Sequence, residues 1–163
     1  MIHIITFKWR SPTYSVTYTA EHVNILADMV RRHYQGPYRF LCITDDPRGI
    51  EVETYPLWGD CSQLKNASGA HLPSCYRRLK LFDPETQAEL GIKPGDRLVQ
   101  IDLDTVICGS LNPLFDRDDP FVGWAVPGSF HPRVFNGSMW MVRAGAEAHV
   151  WRDFNPDTSP QEA

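Results

Sequence analysis

Nothing in this chain supplies the spacing of a structural zinc site. Its four cysteines (Cys42, Cys61, Cys75 and Cys108) form no C-x-x-C pair and have no paired histidines beside them, whereas structural zinc needs several closely placed Cys or His donors. Cys42 and Cys108 sit inside apolar, strand-like runs, where free cysteine acts as a small core residue. All four are expected to be reduced thiols. Positive charge is also scarce: 16 Lys and Arg face 20 Asp and Glu, for a net charge of −4. A general nucleic-acid binder normally carries a basic excess, so that class is excluded while a local basic pocket is not. No apolar run reaches membrane-spanning length, and the opening MIHIITFKWR is too short and polar for a signal peptide. A soluble, cytoplasmic protein is the expectation. The six histidines show no H-x-x-x-H arrangement, and there is no internal repeat or low-complexity tract.

What is present is an ordinary globular composition, 42% apolar over 163 residues, enough for one domain over 1–163 with a real core. Residues 2–8 (IHIITFK) read as a buried strand. Thr19 is placed to cap a helix over 20–34, where Val23, Leu26, Ala27, Val30 and Tyr34 form one apolar face. Gly36-Pro37 stops it, and 38–44 (YRFLCIT) is a second strand. A short strand near 50–55 and an irregular stretch over 56–73 follow. A helix is expected over 74–83, and Asp83-Pro84-Glu85 starts another toward Leu90, with Pro at the first helical position. Gly91 to Gly95 turns the chain into a strand that carries Asp102-Leu103-Asp104 at its end. Strands at 120–126 and 135–142 and a helix near 145–154 complete the pass. Strands alternating with helices imply an α/β fold, mainly parallel or mixed, with helices on both faces. Ligands bind such sheets beyond the carboxyl ends of the strands, the rim that would hold Lys8, Asp45, Asp102 and Asp104.

The most informative segment is RLVQIDLDTVICGSLNPLF, residues 97–115. In a strand, residues i and i+2 project from the same face, so Asp102 and Asp104 are expected to point one way, roughly 7 Å apart. Two like charges so placed need a cation between them, and a hard divalent ion bridging a substrate diphosphate is the natural candidate. The segment resembles the D-x-D region of GT-A-type glycosyltransferases, in particular glycosyltransferase family 8 and its small bacterial relatives: an apolar strand, D-x-D, a short strand and a brief helix. The resemblance covers roughly residues 2–154. It implies a GT-A-like (Rossmann-like) fold and metal-dependent transfer of a sugar from a nucleotide-diphosphate sugar, UDP-linked, to an acceptor the sequence does not specify. Mn2+ or Mg2+ would be the cofactor, with Asp104 on the metal and Asp102 on the metal or the ribose.

Further residues follow from the same resemblance. Val134-Phe135-Asn136-Gly137-Ser138 is similar to the family's aromatic-Asn-small-Gly segment lining the sugar pocket, with the glycine and small residue exchanged. Asn136 could serve sugar hydroxyls as donor and acceptor, and Gly137 would admit close backbone approach. Asn-Gly is equally a turn signal. In SCYRRLKLF, Arg77 and Lys80 are three apart and share a helix face. The family places a cation here that reaches the diphosphate, which favours Arg77 ahead of Lys80; a solvated face is the plain alternative. Thr6, Lys8 and Asp45 would contact base and ribose. Family 8 enzymes continue past this point, with an acidic segment and a late histidine completing the metal site, so a C-terminally truncated domain is expected.

Two other functions compete. One is a nucleotide-sugar-binding module without turnover. The other is a haloacid-dehalogenase-like phosphatase, whose first motif matches Asp102-Leu103-Asp104-Thr105-Val106 and would make Asp102 a nucleophile. That chemistry needs a later lysine, and none follows Lys93.

Overall fold

The computed structural model describes residues 1–10, 16–65, 74–124 and 135–159. Six strands form one sheet: β1 (Ile2–Lys8), β2 (Tyr38–Thr44), β3 (Glu53–Pro56), β4 (Arg97–Ile101), β5 (Phe121–Trp124) and β6 (Asn136–Arg143). Their order is β3-β2-β1-β4-β6-β5. The first four run parallel, while β6 is antiparallel to β4 and to β5. The sheet is therefore mixed.

β1 sits in the middle because it can. All seven of its residues are buried, as a strand covered on both faces requires. Its alternate side chains feed two cores. Ile2 and Ile4 join Val23, Leu26 and Val30 of helix α1 (Ala20–His33), together with Phe115 of the short helix α3 (Asn112–Phe115). Ile5 and Phe7 face the other way, onto Leu81, Phe82, Leu90 and Trp140, with Trp151 of α4 (His149–Arg152) packed alongside. Helices thus cover both faces, and each fully buried aliphatic side chain contributes about 1.5–3 kcal/mol.

Three elements differ from their sequence reading. Residues 74–82 form a 3-10 helix, not an α-helix. The strand expected at 50–55 starts only at Glu53, and the last helix is one turn long. The Asp83 cap is as expected. Its carboxylate accepts the amides of Glu85 (3.4 Å) and Thr86 (3.1 Å) and starts α2 (Pro84–Glu89). Gly91, at φ +73°, ends that helix in the left-handed conformation glycine favours. Gln87, 2% exposed, then ties the layers together. Its amide nitrogen donates to the Leu81 carbonyl (2.8 Å), and its oxygen accepts the Gly145 amide (2.9 Å). The 3-10 helix is thereby clamped to the end of β6.

Candidate functional site

The parallel register pairs Lys8 with Thr44, so the carboxyl ends of β1 and β2 lie side by side. β4 ends on the same rim. β6 enters there, running the opposite way, with Ile101 opposite Met139. This register delivers Asn136, Gly137 and Ser138 to the end of β4. The Asp102 amide donates to the Ser138 carbonyl at 2.8 Å, which closes the ladder where the first aspartate leaves the strand.

The two aspartates lie just past β4, not within it. The Thr105 amide donates to the Asp102 carbonyl (3.1 Å), so residues 102–105 form a turn. Strand alternation therefore does not set their relation. Between them Leu103 drops into the core at 8% exposure, while Asp104 is exposed. The Asp102 Oδ1 accepts two side-chain bonds, from Arg78 Nη1 (2.5 Å) and Gln100 Nε2 (2.8 Å). Arg78 Nη1 also reaches the Gly137 carbonyl at 3.3 Å. Tyr18 Oη donates to Asp104 Oδ2 at 3.3 Å. Burial pushes the Asp102 carboxyl above the ordinary carboxylate range. Arg78 and Gln100 pull it back, and Asp104 pushes it further up. The two carboxylates are thus neighbours in charge, but a turn and not strand alternation sets their relation.

The other expected site residues are distributed unevenly. Asn136 Oδ1 accepts the Ser138 amide (2.7 Å), an Asx-type turn that leaves the Asn136 amide nitrogen as its outward donor. Lys8 is 8% exposed at the rim, and Asp45 is exposed and accepts the Arg10 amide (3.0 Å). Thr6 is fully buried, two residues before the end of β1. Lys80 turns away to Asp60 (2.7 Å), its ammonium 5.8 Å from the centre of the Trp58 ring. Arg77 is 5% exposed and lies over Trp9, with Asp45 as the carboxylate whose field reaches it. It is Arg78, not Arg77 or Lys80, that meets Asp102. A 3-10 helix has three residues per turn, which puts Cys75, Arg78 and Leu81 in one row. Leu81 is fully buried, so that row faces the sheet. His131, which by its place in the sequence could approach a metal, lies outside the described residues.

The donor set can be weighed for a divalent cation. Asp102 has one oxygen not engaged by Arg78 or Gln100, and Asp104 is exposed beside it. Among the described residues no group of three or more His, Cys, Asp or Glu is placed to hold a metal. Two carboxylates with substrate phosphate oxygens and water completing the shell is how Mg2+-type ions are commonly held. The residues fit that arrangement and do not form a closed protein cage.

No protein-family model and no curated protein matches the sequence. Solved structures do. The galactosyltransferase LgtC, in complex with donor and acceptor sugar analogues, superposes with a TM-score of 0.55 at 16% identity, over 94% of this chain and 60% of LgtC. An active-site mutant of LgtC gives a TM-score of 0.55 at 16% identity, over 93% and 60%. The apo form of the glycosyltransferase GlyE of Streptococcus pneumoniae TIGR4 gives 0.50 at 11% identity, over 93% and 37%. The chain therefore spans less than two thirds of the length of these neighbours. The fold is that of the GT-A-type glycosyltransferases, an α/β domain with a mixed six-stranded sheet. No helix among the described residues is long and apolar enough to cross a membrane.

Proposed function

We propose that this domain binds a nucleotide-diphosphate sugar, UDP-linked, through a divalent cation at Asp102 and Asp104, and transfers the sugar to an acceptor. The single observation that carries the reading is the meeting of Asp102, Asp104, Arg78 and the Asn136–Ser138 segment on one rim of a GT-A-type sheet. When bound, Mn2+ or Mg2+ would offset the charge that develops on the departing diphosphate. The protein's own share is positional. Arg78 and Gln100 fix the Asp102 carboxylate, so its free oxygen is presented in one direction. The exposed Asp104 supplies the second carboxylate, steadied by Tyr18. The Asn136 amide nitrogen and the Gly137 backbone, which bears no side chain, face the sugar. Lys8 and Asp45 border the base and ribose.

Release of UDP from UDP-glucose and UDP-galactose, followed with Mn2+ present and after chelation, tests transfer or donor hydrolysis. Metal-dependent release lost in Asp104→Ala supports the reading. A second reading, binding without turnover, is favoured by the lack of a third protein metal ligand among the described residues. It predicts metal-dependent UDP binding and no release. Absence of both binding and release contradicts the two readings together.

A further inference from the structure

Arg77 is the most deeply buried arginine of the described residues, at 5% exposure, and it lacks what most of the others have. Arg31, Arg39, Arg48, Arg78, Arg97, Arg117, Arg143 and Arg152 each lie within ion-pair distance of a carboxylate. Among the described residues Arg77 has no ion pair, and its Nε is buried without a hydrogen-bond partner. The carboxylate whose field reaches it, Asp45, is exposed and occupied with the Arg10 amide. Burying a guanidinium without a hydrogen-bonded counter-charge is costly, because the desolvation of the ion is not offset.

The surroundings hold this cation in place without neutralising it. The guanidinium carbon lies 5.0 Å from the centre of the Trp9 ring, a cation–π contact that covers one face. Phe7 packs edge-on against both Trp9 (6.0 Å) and Trp58 (5.6 Å). Trp58 Nε1 donates to the Arg77 carbonyl at 2.9 Å, which fixes the backbone beneath the side chain. A guanidinium covered on its face by an aromatic ring keeps its in-plane N–H fork for a planar or tetrahedral oxyanion. Next to Trp9 in sequence is Lys8, a second cation, 8% exposed and also without an ion pair among the described residues.

This cation does not serve the aspartate pair. Arg78, its neighbour on the 3-10 helix, is the cation that meets Asp102, at 2.5 Å, whereas the Arg77 guanidinium lies over Trp9, just past the end of β1. Successive residues of a 3-10 helix point about 120° apart, so the two guanidinium groups are directed at different places.

We propose that Arg77, seated on Trp9, forms a second anion subsite that takes an oxyanion, a phosphoryl or carboxylate group carried by one of the substrates outside the nucleotide diphosphate. The anion subsite stands on the surroundings of Arg77, while the identity of its bearer rests on the proposed sugar transfer. The oxyanion has two candidate bearers of the same chemistry, an acidic donor sugar or an acidic acceptor.

The test titrates inorganic phosphate against the protein at constant ionic strength set with chloride, read by calorimetry and thermal shift. Wild type binds phosphate, and Arg77→Met weakens that binding at least tenfold while raising the melting temperature of the ligand-free protein. Arg31→Met, an exposed arginine on α1, leaves the phosphate response unchanged. Where Arg77→Met does not fold, Arg77→Lys decides, since it keeps the charge, loses the fork and binds phosphate several-fold more weakly. No phosphate response in wild type, or equal responses in wild type and the Arg77 variants, overturns the proposal. So does loss of the Mn2+–UDP response in Arg77→Met, which would assign Arg77 to the diphosphate. Two further probes identify the bearer. Preference for UDP-glucuronate over UDP-glucose, abolished in Arg77→Met, assigns it to the donor sugar. Binding of glucose 6-phosphate alongside Mn2+–UDP, abolished in the same variant, assigns it to the acceptor. Indifference of the variant to both probes overturns the proposal.

Discussion

Arg78 Nη1 lies 2.5 Å from Asp102 Oδ1, and the same nitrogen reaches the Gly137 carbonyl. One guanidinium thus joins the 3-10 helix, the end of β4 and the start of β6. Both side chains are mostly buried, at 19% and 22% exposure. Removing either partner leaves the other charge poorly compensated, so Arg78→Met and Asp102→Asn are each expected to destabilise by about 2 kcal/mol, below the range for fully buried pairs. The double variant should recover about 1 kcal/mol or more of the summed loss. Urea unfolding of the four proteins measures this, and strictly additive losses would show that the two groups are not coupled.

Gln87 makes the 3-10 helix depend on β6. Gln87→Leu removes the partners of the Leu81 carbonyl and the Gly145 amide inside the protein. An orphaned buried polar group costs about 1–3 kcal/mol, so a loss of about 2 kcal/mol or more is expected. Because this helix carries Arg78, UDP affinity should fall as well, although Gln87 is far in sequence from the aspartates. Chemical denaturation and UDP titration check the two effects separately.

Thr6 is a case in which removal of a polar atom helps. Its Oγ1 is buried without a partner among the described residues. Thr6→Val replaces the hydroxyl with a methyl of similar size on a strand that favours β-branched residues. The expected change is a gain of about 1 kcal/mol, with UDP binding unaltered. Weakened UDP binding would place Thr6 in contact with the nucleotide after all.

Burial pushes the Cys42 thiol up to about 12, from an ordinary value of 9.0, although Lys8 pulls it back. Since the folded value lies above the unfolded one, this contribution to stability is whole below pH 9 and is lost as pH rises toward 12. The stability difference between wild type and Cys42→Ala should hold constant up to about pH 9 and shift against wild type above it. Cys108 is exposed, so a thiol reagent at neutral pH should label it at once and reach Cys42 only on unfolding. Rapid labelling of Cys42 in the native protein would contradict its placement.

The parts of the fold legible in the sequence were those with a strong local signal. β1 and β2 are continuous apolar runs, α1 repeats its apolar positions at helical spacing, and Asp83-Pro84 announces α2. From these follow the parallel half of the sheet and the rim that Lys8, Asp45 and Asp102 share. Two features depended on longer-range contacts. The antiparallel entry of β6 brings Ser138 to Asp102, a meeting that no local pattern encodes. Both adjacent arginines of residues 74–82 turn inward, Arg77 over Trp9 and Arg78 onto Asp102. The i, i+3 spacing shows that Arg77 and Lys80 share a face, but which arginine reaches an aspartate depends on where the end of β4 lies, which no local pattern encodes. The aspartates stand out through the D-x-D pattern, yet their relation is set by a turn.

Asp102 and Asp104 are proposed to hold a divalent cation together with a nucleotide diphosphate. The most direct measurement of this is the electron paramagnetic resonance signal of free Mn2+, titrated with protein in the presence and absence of UDP. Weak Mn2+ uptake by the protein alone and at least tenfold tighter uptake with UDP are expected, since two carboxylates leave most of the coordination shell to the phosphates. Asp104→Ala should abolish the gain beyond the uptake by UDP itself, while Arg77→Met should leave it. Uptake that UDP does not enhance, or an enhancement that survives Asp104→Ala, would contradict the account.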